Sequence, residues 1–100
     1  MAKYLVTYHG SGMPHDPEGV AQAKAAFQKW LGAQGSAVID PGEPVNMVGQ
    51  VSNGSPEPAA AIGGYSIIEA PNKEEATEIL KDHPFVARGG TLQLNEVIAA

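Results

Sequence analysis

The chain contains no cysteine, and that absence removes disulfide frameworks, zinc–thiolate sites and thiol nucleophiles together. It is also short of positive charge. Six Lys and Arg, scattered singly, stand against eleven Asp and Glu, for a formal net charge of −5. No basic stripe can gather on one face, which argues against nucleic acid or an anionic membrane as a partner. No apolar run approaches the length of a transmembrane helix. The opening MAKYLVTYHG lacks the long apolar region and cleavage site of a secretory signal, so a soluble cytoplasmic protein is expected.

What is present describes a folded chain. Hydrophobic residues make up 43% of the 100 positions and charged ones 17%, a balance typical of an ordered domain. The length suits one domain over residues 1–100 with a modest core, so a partner subunit would help to cover apolar surface.

Residues 2–9, AKYLVTYH, are rich in β-branched and aromatic types and predict a strand. Asp16–Pro17 then offers a capping carboxylate and a proline suited to the first helical position. Val20, Ala23, Phe27, Trp30 and Leu31 recur at helical spacing until Gly32 or Gly35 stops the run. SAVI at 36–39 begins a second strand, interrupted by Asp40–Pro41–Gly42. With prolines at 41, 44, 56 and 58, the next stretch is expected to hold a short strand within Val45–Ser52 and a flexible connector over NGSPEPAAA. GYSIIEA at 64–70 predicts a third strand. Asn72 with Glu75 three residues on makes a capping box for a second helix, running to about His83 and stopped by Pro84. TLQLNEVI at 91–98 closes the series as a strand.

The order β-α-β-β-α-β is the ferredoxin-like pattern: an α+β fold with an antiparallel four-stranded sheet. Both helices would cover one sheet face. The other face carries either Tyr4, Val6 and Tyr8 or Leu5, Thr7 and His9, according to register, and neither set is cleanly polar. Such a sheet needs a second cover. A homodimer formed through the sheet faces is the economical answer.

With the elements placed, GGYSIIEAPNKEEATEILKDHPFVARGGTLQLNEV resembles the C-terminal half of YCII-related proteins. In these a Gly-Gly-Tyr/Phe opening leads into a strand, an acidic helix, a helix-ending proline and a final strand after Gly-Gly-Thr/Ser. MAKYLVTYHGSGMP and DPGEPV are similar to that family's first strand and its Gly-x-Pro turn. The resemblance spans nearly the whole chain and is weakest over 45–61. It implies a dimeric α+β barrel, in which two ferredoxin-like sheets pack together. Some members are proposed to use a His–Asp dyad, with the His on the first helix and the Asp before the proline that ends the second. The related DGPF branch is named for a tetrapeptide in the central loop. This chain has neither that tetrapeptide nor the helix-one His; matching by position puts Lys24 where dyad-bearing relatives hold His, and His83 where they hold Asp.

Steps of about 100° per residue place Lys24 with Val20, Phe27 and Leu31, and His83 with Ala76, Ile79 and Leu80, both facing inward, while Asp82 falls towards solvent. In the ferredoxin-like arrangement His9, Ser11, Lys24, Tyr65 and His83 would share one edge of the sheet, with Asp40 nearby. Histidine and a partly desolvated lysine together could serve as acid and base. Each has a plainer role open to it. Lys24 could run its methylenes over the core with its ammonium in water, and His83 could close its helix by hydrogen-bonding the last carbonyls. Tyr65 and Trp30 fit core or interface aromatics.

Other motifs carry less. HGSG at 9–12 lacks dinucleotide-binding spacing, and Asp16 and Glu18 stand where a phosphate would go. His9, His15, Asp16 and His83 show no paired metal-ligand spacing, so no metal and no cofactor is expected. Two functions follow. The first is a homodimer binding a small organic ligand in a cleft lined by His9, Ser11, Asp40 and Tyr65. The second is a cofactor-free enzyme doing proton transfer with His83 and Lys24.

Overall fold

Ala2–His9 (β1) is the strand around which the sheet is built, pairing antiparallel with Gly64–Ala70 (β3) on one side and Thr91–Glu96 (β4) on the other. Val38–Asp40 (β2) joins the far side of β3, giving the order β2-β3-β1-β4. This is the ferredoxin-like α+β arrangement that the element order predicts. The structure is a computed structural model and describes residues 1–10 and 14–98.

Among the described residues three α-helices connect the strands. Pro17–Gln34 (α1) begins as the Asp16–Pro17 pair requires: the Asp16 carboxylate accepts the Gly19 N–H at 3.0 Å. Gly35 ends it in a positive-φ conformation and leads into a 3₁₀ turn over Gly35–Ala37. Lys73–Leu80 (α2) is capped by Asn72, whose side-chain oxygen accepts the Glu75 N–H at 2.9 Å. Here the structure departs from the expected boundary. α2 ends at Leu80, and a separate short helix, Pro84–Ala87 (α3), starts immediately after His83. Proline forbids continuation of the first helix but is well suited to the first turn of the next.

Register settles which face of β1 is inside. Tyr4, Val6 and Tyr8 are buried against Trp30, Ala76, Leu80 and Phe85, forming the core with Ile68 and Ala70. The Trp30 indole N–H donates to the Ile79 carbonyl at 3.3 Å, fastening α1 to α2. Leu5, Thr7 and His9 therefore lie on the opposite face, beside their β3 partners Ile67 and Tyr65. The molecule measures 45 × 38 × 19 Å, a two-layer slab of helices on sheet. No helix among the described residues is long and apolar enough to cross a membrane.

Residues 41–63 form no strand, so the short strand expected within Val45–Ser52 is not there; one isolated bridge, Pro44 to Gly64, is all the pairing this stretch makes. Prolines at 41, 44, 56 and 58 remove amide donors, and the apolar residues that suggested a strand, Val48 and Val51, are wholly exposed. The base of this long loop is nonetheless well tied. The Val45 N–H donates to Gly63 O, the Gly63 N–H to Tyr8 O, and the Tyr65 N–H to Glu43 O. Gly42 lies so close to β3 (φ 76°) that a Cβ there would sit 1.6 Å from the Tyr65 carbonyl oxygen.

Candidate functional site

A cavity of about 580 Å³ opens between α1, the start of the long loop and α3. Its inner wall is built from Tyr8, Phe27, His83 and Phe85; exposed residues, among them Lys24, Glu43 and Arg88, form its rim. The volume lies in the range usual for small-molecule sites, as does the mixture of aromatic walls and few polar groups.

His83 is the most unusual residue of the inner wall, being only 2% exposed. Its backbone is extended (φ −64°, ψ 134°), and its ring nitrogen Nδ1 accepts the Phe85 N–H at 3.0 Å. Its side chain thus opens α3 as an N-cap and does not reach the last carbonyls of α2; the His83 backbone N–H meets one of them, donating to Leu80 O at 3.0 Å. The ring is enclosed by Trp30, Tyr8 and Phe27, with centroid separations of 4.4, 5.2 and 5.5 Å. Burial, and secondarily the positive charge of Arg88, lower its pKa from 6.5 to about 4. At neutral pH it is an uncharged imidazole.

The polar contacts of this ring form a chain whose direction can be worked out from its two ends. At one end the Phe85 N–H can only donate, so Nδ1 is the acceptor and the ring proton sits on Nε2. At the other end the Pro41 carbonyl can only accept, so the Ser66 hydroxyl, 2.7 Å away, donates to it. Ser66 having used its proton, the Tyr8 hydroxyl must donate to Ser66 Oγ at 2.8 Å. Tyr8 Oη in turn accepts from His83 Nε2–H at 2.8 Å. Phe85, His83, Tyr8, Ser66 and Pro41 are linked in one sense, and among the described residues no buried side-chain polar atom lacks a partner. Burial raises the Tyr8 pKa, only partly offset by the Ser66 hydrogen bond, so its phenol keeps its proton.

The residues singled out from sequence are distributed unevenly around this site. His83 and Lys24 line the same cavity, as the shared-edge argument requires. Lys24, however, is exposed at the rim, and Val20 on its stripe is 50% exposed; α1 leans its N-terminal half over the cavity, not onto the sheet. Tyr65 borders the cavity, but its pairing with Thr7 puts its side chain on the opposite sheet face. His9 also lies on that face. Its Nδ1–H donates to Ala61 O at 2.9 Å, and its Nε2 accepts from the Thr7 hydroxyl at 2.7 Å. Asp40 shapes the turn into the loop by accepting the Gly42 N–H at 2.8 Å. Ser11 lies outside the described residues. No group of three or more His, Asp and Glu that could hold a metal ion is found among the described residues.

Two residues central to the site, Tyr8 and Ser66, were not singled out from sequence. The signal was there: Ser66 is a polar residue at a core-facing position of the otherwise apolar GYSIIEA. A buried hydroxyl needs a partner.

Comparison with known proteins bears on the fold and the family. The model of the YCII-related domain matches residues 4–99. No curated protein matches the sequence. One similar solved structure is a 5-chloro-2-hydroxyhydroquinone dehydrochlorinase from Burkholderia phenoliruptrix AC1100 in complex with 2,5-dihydroxybenzoquinone. The two share 17% identity with a TM-score of 0.57, over 91% of this chain and 90% of that one. At that identity the likeness concerns the fold.

Proposed function

The chain belongs to the YCII-related domain family, and from that premise we propose that it is a cytoplasmic homodimer that binds a small, ring-containing organic molecule in the cavity beside His83. The observation that carries this reading is the state of the His83 ring. Both of its nitrogens are already engaged, one by the Phe85 N–H and one by Tyr8, inside an aromatic enclosure. Such a wall is preorganised and uncharged, suited to holding a planar ligand by contact. That the similar dehydrochlorinase was solved with 2,5-dihydroxybenzoquinone supports a ligand of one-ring size.

The proton-transfer alternative, with His83 as base and Lys24 as its electrostatic partner, stands second. It would require the ring to give up the Tyr8 or the Phe85 hydrogen bond before it could meet a substrate, against a pKa near 4.

Dimerisation is supported by surface area. The chain exposes 6903 Å², whereas the scaling for folded monomers gives roughly 5,400 Å² at this mass. Much of the surplus of about 1,500 Å² belongs to the 45–61 loop, whose residues are all exposed; what bears on an interface is the apolar area on and beside the open sheet face. That area includes Leu5, Ile39 and Ile62, each more than a third exposed.

Titration with 2,5-dihydroxybenzoquinone, followed by protein NMR, tests the binding reading. Chemical-shift changes should centre on Phe27, His83 and Phe85, and Phe27→Ala should weaken binding at least about fivefold through loss of ring contact. Changes confined to the open sheet face, or affinity unaltered by Phe27→Ala, would refute it. Sedimentation equilibrium at micromolar concentration should give twice the 10.4 kDa chain mass; a monomer would refute the assembly.

A further inference from the structure

Resting on that binding reading, we propose that the inner wall of the cavity presents hydrogen-bond acceptors and no donors, so that it selects ligands whose buried end carries a neutral O–H, of the phenol class. Phe85 N–H, His83 Nε2–H, Tyr8 O–H and Ser66 O–H each spend their one proton on the next member, ending on the Pro41 carbonyl. Nothing in the sequence of bonds can be reversed, because its first member cannot accept and its last cannot donate. What remains unspent is lone-pair capacity, on Tyr8 Oη and Ser66 Oγ. Of these two residues Tyr8 lines the cavity and Ser66 does not.

A ligand placing a carboxylate or carbonyl against Tyr8 would meet a lone pair with another, whereas a hydroxyl would complete the oxygen's coordination. A buried polar group left unpaired discriminates more strongly than a small difference in apolar fit. At the rim the Lys24 ammonium can only donate, beside the Glu43 carboxylate, which can only accept, so an acceptor at the ligand's outer end is directed to Lys24. The ligand class with both properties is a hydroxylated aromatic ring, hydroxyl inward, bearing an acceptor or anionic group at its outer end.

Three para-substituted benzoates make the test, since all share the ring and carboxylate and differ at the buried end. 4-Hydroxybenzoate donates, 4-nitrobenzoate only accepts, and 4-fluorobenzoate does neither well. Affinities are measured by calorimetry or NMR on the wild type, on Tyr8→Phe and on Ser66→Ala. In the wild type, 4-hydroxybenzoate should bind about tenfold tighter than the other two, the effect of one well-made neutral hydrogen bond. Tyr8→Phe should erase the preference. Ser66→Ala should release the Tyr8 proton into the cavity and raise 4-nitrobenzoate affinity relative to 4-fluorobenzoate. Equal wild-type affinities with saturable binding would overturn the acceptor wall while leaving the site intact. A preference that survives Tyr8→Phe would overturn its assignment to Tyr8. Failure of all three to bind would overturn both this proposal and the binding reading beneath it.

Discussion

Lowering the pH from 7 to 5 should destabilise this protein through one residue. The His83 imidazole has a pKa near 6.5 in the unfolded chain and about 4 in the folded one. Between those values the unfolded chain binds more protons, so stability must fall as the pH falls through that window. The contribution is complete above pH 6.5 and exhausted below pH 4. Taking those two pKa values, the loss is roughly 2 kcal/mol at pH 5 and tends to about 3 kcal/mol at lower pH. The cause is burial first and the charge of Arg88 second; a proton on Nδ1 would in addition point at the Phe85 N–H, setting donor against donor at the cap of α3. The assay is urea unfolding at fixed protein concentration, at pH 7, 6 and 5, read by the fluorescence of Trp30, the one tryptophan. His83→Asn is the comparison, because Asn is a good N-cap and does not titrate. The stability difference between the two proteins should change by roughly 2 kcal/mol from pH 7 to pH 5, to the relative benefit of the variant. Parallel profiles for wild type and variant would refute the reasoning.

Other consequences can be measured with the same unfolding assay. Gly42→Ala meets both an unfavourable positive φ and the Tyr65 carbonyl; a loss of about 2 kcal/mol or more is expected. Asp16→Ala removes the α1 cap and should cost about 1 kcal/mol, with Asn72→Ala doing the same at α2. Ser66→Ala leaves the Pro41 carbonyl and the Tyr8 hydroxyl without their partner and should cost about 1–3 kcal/mol. Lys24→Gln, at the exposed rim, should leave stability within about 0.5 kcal/mol while weakening binding of the benzoates, an effect that added salt should diminish in the wild type.

The fold was legible because local signals agreed with one another. Asp16–Pro17, Asn72–Glu75 and the breaker-free AKYLVTYH each specify an element end or type on their own, and the structure shows them. The long loop was not, because VNMVGQVS carries strand composition while the sheet offers it no partner beyond the Pro44 bridge; composition cannot report a missing neighbour. His83 shows the same limit at a single position. Helical angular steps turn it inward, as found, yet carry the helix past Leu80, whereas its side chain caps the start of α3 and only its backbone N–H meets the end of α2. Strand period likewise could not choose between the Tyr4 and Leu5 faces of β1, and with the choice went the whereabouts of His9 and the part played by Tyr8. These depend on which residues lie across the sheet, at separations of 58 and 75 positions for Tyr8 with Ser66 and His83.

The stitching at the base of the 41–63 loop separates its length from the rest of the molecule. With Pro44 held beside Gly64 and Val45 bonded to Gly63, the chain beyond that neck begins and ends in nearly one place. Doubling such an appendage costs only about 0.6 kcal/mol in closure entropy, and its tip, where Val48 and Val51 stand fully in solvent, touches little that a longer or shorter version would disturb. Foreign peptide spliced there should be carried without altering strand pairing, which makes this tip the natural point for attaching a label or a new recognition sequence.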